Sequence, residues 1–297
     1  MKKAGEPRGN YPSESLADGA AIRFISGMLL TALLADSLAL GPHWIYDRAD
    51  LAARFPSLES LEPPATQYHP GKQAGDQTHL GDQTLILADS LLATKGEPDA
   101  GHFLAQWTAF WNDPKTQSYR DKATKFVLEN GSPSSSTELA GAARTAPLAA
   151  ILLKRGVRGD RLAEQLYAHV SLTHRSEASQ QATNVLAQLL SQVADGKPLL
   201  DVLPADPHPT LETGAAIEEL GQGCNITGAL PASLLLLRRH GAEPKAALQQ
   251  NALAGGDSAA RGLFIGMILG IQRPKLPESW AAQLHARFTV ERFERES

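Results

Sequence analysis

Along this chain apolar residues recur at three- and four-residue spacing, and no stretch of useful length alternates apolar with polar. That pattern predicts an all-α protein. The first run, Ile22 to Leu40, is apolar nearly all round, as expected of a helix buried at the centre of a bundle, and Gly41-Pro42 stops it. From about Arg48 to Leu80 the pattern lapses into a loop containing Pro56, Pro63, Pro64 and Pro70. A loop that long in a compact chain is usually functional or mobile. Helical spacing returns over Gly81–Thr94, Asp99–Trp111, Lys115–Glu129, Thr137–Lys154, Asp160–Val170 and Glu177–Ala194. A proline-rich stretch, Gly196 to Thr210, precedes further helical runs at Leu211–Leu220, Ala229–Arg239, Pro244–Leu253, Asp257–Gly270 and Pro277–Phe288. The count is about twelve helices, with no fixed-period repeat.

Composition narrows the picture modestly. The 297 residues are 42% hydrophobic and 20% charged, enough for a large core. We expect a polar, partly disordered lead-in over residues 1–20 and a single helical domain over 21–297. The net charge of -4 and the lack of a basic patch argue against a nucleic-acid partner. No uncharged apolar run of about 18 residues is present, so no membrane span is expected. The lone Cys224 cannot form an internal disulfide, which suits a reducing, cytoplasmic setting. Oligomeric state is not legible. The chain contains no GxSxG, HExxH or P-loop motif. Gly221-Gln222-Gly223 begins a dinucleotide fingerprint but lacks its third glycine and its strand.

The candidate chemistry centres on Gly75 to Thr84, GDQTHLGDQT, a tandem that presents Asp76 and Asp82 just where a helix begins. An acid followed by Gln83 and Thr84 is either an N-terminal cap or a set of oxygen donors for a hard cation or a sugar. Asp36 lies inside the first apolar run, so it must be solvated, paired or metal-bound. Gly255-Gly256-Asp257-Ser258 again places an acid at a helix start, and its glycines suggest close approach of backbone or ligand. Thr173-His174 falls between two helices; the histidine is a structural hydrogen bonder or a catalyst. Arg144 is a pairing residue or an anion binder. His43, Trp44, Tyr46 and Asp47 line a pocket or form a satellite cluster.

In their order these stretches resemble the ADP-ribosylglycohydrolase family, including its J1-crystallin-like members. The similarity is carried by Ala35-Asp36-Ser37-Leu38-Ala39 with Gly41, Gly81-Asp82-Gln83-Thr84, Arg144-Thr145-Ala146-Pro147-Leu148, Thr173-His174, and Gly255-Gly256-Asp257-Ser258-Ala259-Ala260. The resemblance implies one mostly orthogonal helical domain with two magnesium ions at a cleft. These ions would grip the ribose of an ADP-ribosyl group and activate a water that cleaves its glycosidic bond. The pattern departs at the ligands. Gly81, Asp82 and Gln83 stand where the family has Thr-Asp-Asp, and Ala259-Ala260 where it has Asp-Thr. Only Asp82 and Asp257 keep a carboxylate among the typical ligand positions, so we expect one Mg²⁺ at most.

The expected site follows from that resemblance. Asp82, Asp257 and His174 are the candidate catalytic residues, with Asp82 and Asp257 as conditional metal ligands across a shared hollow. Asp36, Asp76, His79, Gln83, Thr84, Arg144, Thr173, Gly255 and Gly256 are candidates to contact an ADP-ribose-like ligand. Three readings stand open: a divergent hydrolase of an N- or O-glycosidic bond with His79 or His174 moving a proton, a binding protein without the chemistry, and a crystallin-like structural body.

Overall fold

The computed structural model describes residues 16–296, with side chains from residue 27 onward. Among these residues there are sixteen helices and no strand. Most of the expected disordered lead-in lies outside the described residues. The first helix, α1, spans Leu16–Leu40 and so begins six residues before Ile22.

Two long apolar segments form the centre. Helix α14 (Ser258–Gly270) is buried at every position, and α1 is buried almost throughout from Met28 to its end. A helix apolar on all faces has no other stable place in water. The pair approach closely because small residues meet at the crossing. A methyl group added at Gly266 would stand 2.7 Å from the Thr31 carbonyl oxygen, and one at Gly270 would stand 2.5 Å from that of Gly27. Around this pair pack α3 (His79–Ala93), α7 (Ala146–Lys154), α12 (Ile226–His240), α13 (Pro244–Leu253) and α16 (Arg287–Glu296).

Local sequence explains most helix starts. Asp47 caps α2 (Arg48–Arg54), Thr78 caps α3, Asp99 caps α4 (Ala100–Asn112) and Asp121 caps α5 (Lys122–Asn130), each by accepting a backbone N–H. Ser176 forms a reciprocal capping box with Ser179 at the head of α9 (Glu177–Ala194). These caps correct several expectations. Asp47 is spent on capping α2. Helix α3 starts at His79, so Gly81 and Asp82 lie within its first turn. The helix expected over Lys115–Glu129 shrinks to α5. The alanine-rich run after Thr137 splits into α6 (Ala140–Ala143) and α7, with Arg144 and Thr145 at the break. The last run becomes α15 (Glu278–Gln283) and α16. In the middle of the chain, α8 (Gly159–Val170) precedes α9, and α10 (Leu199–Val202) and α11 (Thr213–Leu220) follow it.

The long loop before α3 is pinned rather than loose. The Gly75 carbonyl accepts from His285 N at 3.0 Å, the Glu59 carbonyl from Trp280 Nε1 at 2.8 Å, and Leu61 N donates to Gln283 at 3.1 Å. The C-terminal segment thus clamps the loop from outside. Among the described residues no helix is long and apolar enough to cross a membrane.

The crossing of α1 and α14 can be tested directly. Gly266→Val must push main chain against main chain, and overpacking of this kind costs about 1–3 kcal/mol. A lower midpoint in urea unfolding with an unchanged slope is the expected result.

Candidate active site

Two distant segments meet at a backbone latch. Gly256 N donates to the Ile45 carbonyl at 2.8 Å, and Trp44 N donates to the Gly256 carbonyl at 3.0 Å. Gly255 and Gly256 have φ of 78° and 67°, and a methyl on Gly256 would stand 2.2 Å from the Gln222 carbonyl oxygen. The glycines therefore serve close approach of backbone, and ligand contact is not needed to explain them. Trp44 also has a positive φ, 63°, uncommon for a bulky side chain and a sign that its placement is enforced.

The latch sets Trp44 among other rings. Tyr119 meets it edge-on at 4.7 Å and Tyr68 at 5.0 Å between centroids, while His69 stacks on it at 5.4 Å. Tyr46 and Tyr68 are exposed, at 51% and 41%. His43, His69 and His79 lie buried below, with ring centroids 5.3 to 6.2 Å apart. Desolvation holds all three uncharged. It takes His43 well below its ordinary value and His69 and His79 down to about 3, helped by repulsion among the rings and from Lys72. Leaving buried ring nitrogens unpaired costs about 1–3 kcal/mol each, so this cluster is a local concentration of free-energy cost.

Carboxylates border the rings. Asp257 caps α14 through Ala260 N at 3.4 Å and places Oδ1 3.9 Å from His43 Nε2. Burial pushes its carboxyl up to about 6, and the Arg261 guanidinium opposes the rise only in part. Asp121 Oδ2 lies 3.7 Å from His79 Nε2. Burial also raises Glu138, whose carboxylate accepts from Cys224 Sγ at 3.4 Å, and the Cys224 thiol is pushed up to about 12 by burial and that neighbour.

Four expected site residues form a buried hydrogen-bonded chain, tied to His79 by Gln83 Nε2, which donates to the His79 carbonyl at 3.2 Å. Gln83 Oε1 accepts from Trp107 Nε1 at 2.9 Å and from Arg144 at 2.8 Å. Arg144 also donates to Thr173 Oγ1, and it sits 5.6 Å over the Phe103 ring. Thr173 Oγ1 in turn meets His174 Nδ1 at 2.9 Å. Burial and the Arg144 charge take His174 down to about 4. His174 Nε2 has no hydrogen-bond partner. Arg144 is 1% exposed, so it ties α3 to the α6–α7 break and is out of reach of a ligand anion.

The remaining candidates lie elsewhere. Thr84 is buried and donates to the Leu80 carbonyl within its own helix. Asp76 faces the C-terminal segment, with His285 Nδ1 at 2.9 Å. Asp36 is fully buried and accepts from Thr78 N at 2.7 Å and Thr78 Oγ1 at 2.6 Å, with the Gln77 amide nitrogen 3.0 Å away. It is the hook that fixes the start of α3 against α1, and a solvent-borne ligand cannot reach it. Asp82 has Lys72 Nζ at 2.9 and 2.7 Å from its two oxygens. It lines a hollow with Pro70, Phe110, Lys115 and Gln117 that includes none of the residues around Asp257. Asp257, expected across the same hollow, is not among the residues that line this one.

The fold is all-helical, with a buried polar centre held between its helices. The chain belongs to the ADP-ribosylglycohydrolase family, whose model matches residues 20–296. A solved structure described as an ADP-ribosylglycohydrolase-related protein complex superposes with a TM-score of 0.70 at 20% identity, over 93% of this chain and 97% of that one. No curated protein matches. Family membership implies magnesium, and the residues present do not fit it. Lys72 occupies the charge-neutralising position at Asp82, and Asp257 faces imidazole nitrogens where Mg²⁺ requires oxygens.

Sequence reasoning missed His69, Tyr68, Tyr119, Asp121 and Glu138. The only available signal was histidine itself, at 69 just ahead of the tandem motif and at 79 within it.

Asp36 gives a prediction of definite sign. Burial raises its carboxyl from 3.8 to about 7, so between these values the folded chain holds a proton that the unfolded chain has lost. Stability attributable to Asp36 is therefore greatest in acid, falls as pH rises to about 7, and is flat above. The melting-temperature difference between wild type and Asp36→Asn should shift against the wild type over that window and then level off.

Proposed function

We propose that this chain hydrolyses an N- or O-glycosidic bond of an ADP-ribosyl or related ribosyl compound, with Asp257 as the proton-transferring group. Family membership supports hydrolysis at a glycosidic bond. The observation that carries the reading is Asp257 itself, buried at the head of α14, held by the Gly255–Gly256 latch beside Trp44, with its carboxyl at about 6. A carboxyl of that acidity is split between both forms near neutrality and can give a proton to a leaving oxygen or nitrogen or take one from water. Trp44, Tyr68 and Tyr119 offer aromatic faces and edges on which a purine or ribose can pack. The lone Cys224 is compatible with a cytoplasmic setting.

A second reading has its own support. Lys72 already neutralises Asp82, which favours a chain that binds ADP-ribose without cleaving its derivatives. Release of ADP-ribose from ADP-ribosyl-arginine and O-acetyl-ADP-ribose separates the two. Turnover should fall by about 10²–10⁴ in Asp257→Asn while ADP-ribose affinity changes little. Trp44→Ala should weaken ADP-ribose binding, read as loss of the ligand's thermal shift. Binding without turnover in the wild type would establish the second reading, and no shift at millimolar ADP-ribose would remove both.

A further inference from the structure

The three imidazoles beneath Trp44 have no hydrogen-bonding task. His43 comes from the turn after α1, His69 from the proline-rich loop and His79 from the first turn of α3. Each offers one ring nitrogen, and these nitrogens lie within 4.8 Å of one another. Their relative exposures are 0%, 1% and 3%. Five of the six ring nitrogens, both on His43, both on His69 and Nδ1 of His79, have no partner. The sixth, His79 Nε2, stands 3.7 Å from Asp121 Oδ2, an oxygen also without a partner. A buried histidine ordinarily secures a partner, as His240 does with Thr213 Oγ1 at 2.9 Å. Three adjacent rings without such partners are lone pairs gathered about a common point.

We propose that His43, His69 and His79 form a three-nitrogen site for a borderline divalent transition-metal ion of the zinc class. Imidazole nitrogen suits zinc and its neighbours, whereas Mg²⁺ takes oxygen ligands. Ligation uses the lone pair of a neutral imidazole, and five of the six ring nitrogens here are not engaged elsewhere. Asp257 beside His43 and Asp121 beside His79 are placed like the carboxylates that orient metal-bound imidazoles. Zn–N bonds of about 2.0–2.1 Å bring ligand nitrogens closer than the present spread, and modest ring rotation covers the difference. Three protein ligands leave a coordination position open, as catalytic zinc sites do and structural ones do not. Asp257 borders both this site and the proposed glycosidic chemistry, but metal occupancy and turnover are read by different measurements, so either can fail alone.

The test uses the full chain freed of metal with a chelator and titrated with Zn²⁺ against a chromophoric competitor. One ion per chain, with a dissociation constant below about 1 µM and no displacement by millimolar Mg²⁺, is expected. His69→Gln and His43→Gln should each weaken binding by about tenfold or more, while His169→Gln, a buried histidine packed on Phe103 away from the triad, should not. Cobalt-substituted wild type should show the intense visible bands of a four- or five-coordinate site with nitrogen ligands. Sub-stoichiometric binding, equal loss in His169→Gln, or a cobalt spectrum of the hexaaqua type would overturn the proposal. The cobalt measurement needs no variant and stands even if a histidine substitution prevents folding.

Discussion

Two main-chain hydrogen bonds between Trp44–Ile45 and Gly256 bring an early and a late part of the chain together. They depend on glycines at 255 and 256, where the backbone runs in the left-handed region and no side chain could fit against Gln222. The latch exists because α1 and α14 already lie side by side, so the segments that leave and enter them emerge at one end of the bundle. Packing of two apolar helices thus fixes the position of His43, Trp44 and Asp257 together.

The polar interior that results has two different characters. Around Gln83, Arg144, Thr173 and His174 most groups have partners, and the network ties four elements into a rigid unit. Around His43, His69 and His79 the reverse holds: neutral rings stack with few partners under an aromatic cover. Satisfied networks confer stability, whereas unsatisfied ones are retained at a cost and point to chemistry. Asp257 and Asp121 border the second region, so proton transfer and ligand capture are assigned there.

Much of the architecture was legible in the sequence because it depends on local rules. Helices α9 and α13 match their expected bounds, since a serine cap and a proline start define them. The family was legible for a similar reason, because its short motifs sit at helix ends and breaks. The site was legible only in part. His79, Gln83, Arg144, Thr173, His174 and Asp257 are all buried in the polar interior, whereas Asp82 pairs with Lys72 and lines a hollow that Asp257 does not. Asp82 and Gln83 are adjacent on one helix, where neighbouring residues point about 100° apart, and only tertiary contacts decide which faces the core. His69 sits in a loop without periodicity, so nothing local distinguishes it from a surface histidine.

The lysine on Asp82 changes what kind of object that half of the site is. A free cation comes and goes with the medium, and a chelator can remove it. An ammonium on a covalent tether cannot be dialysed away, and Lys72 is carried by a loop that the C-terminal segment clamps at Gly75 and Asp76. At Asp82 the balancing charge is therefore encoded in the gene, and this corner of the protein keeps its electrostatic state whatever ions surround it.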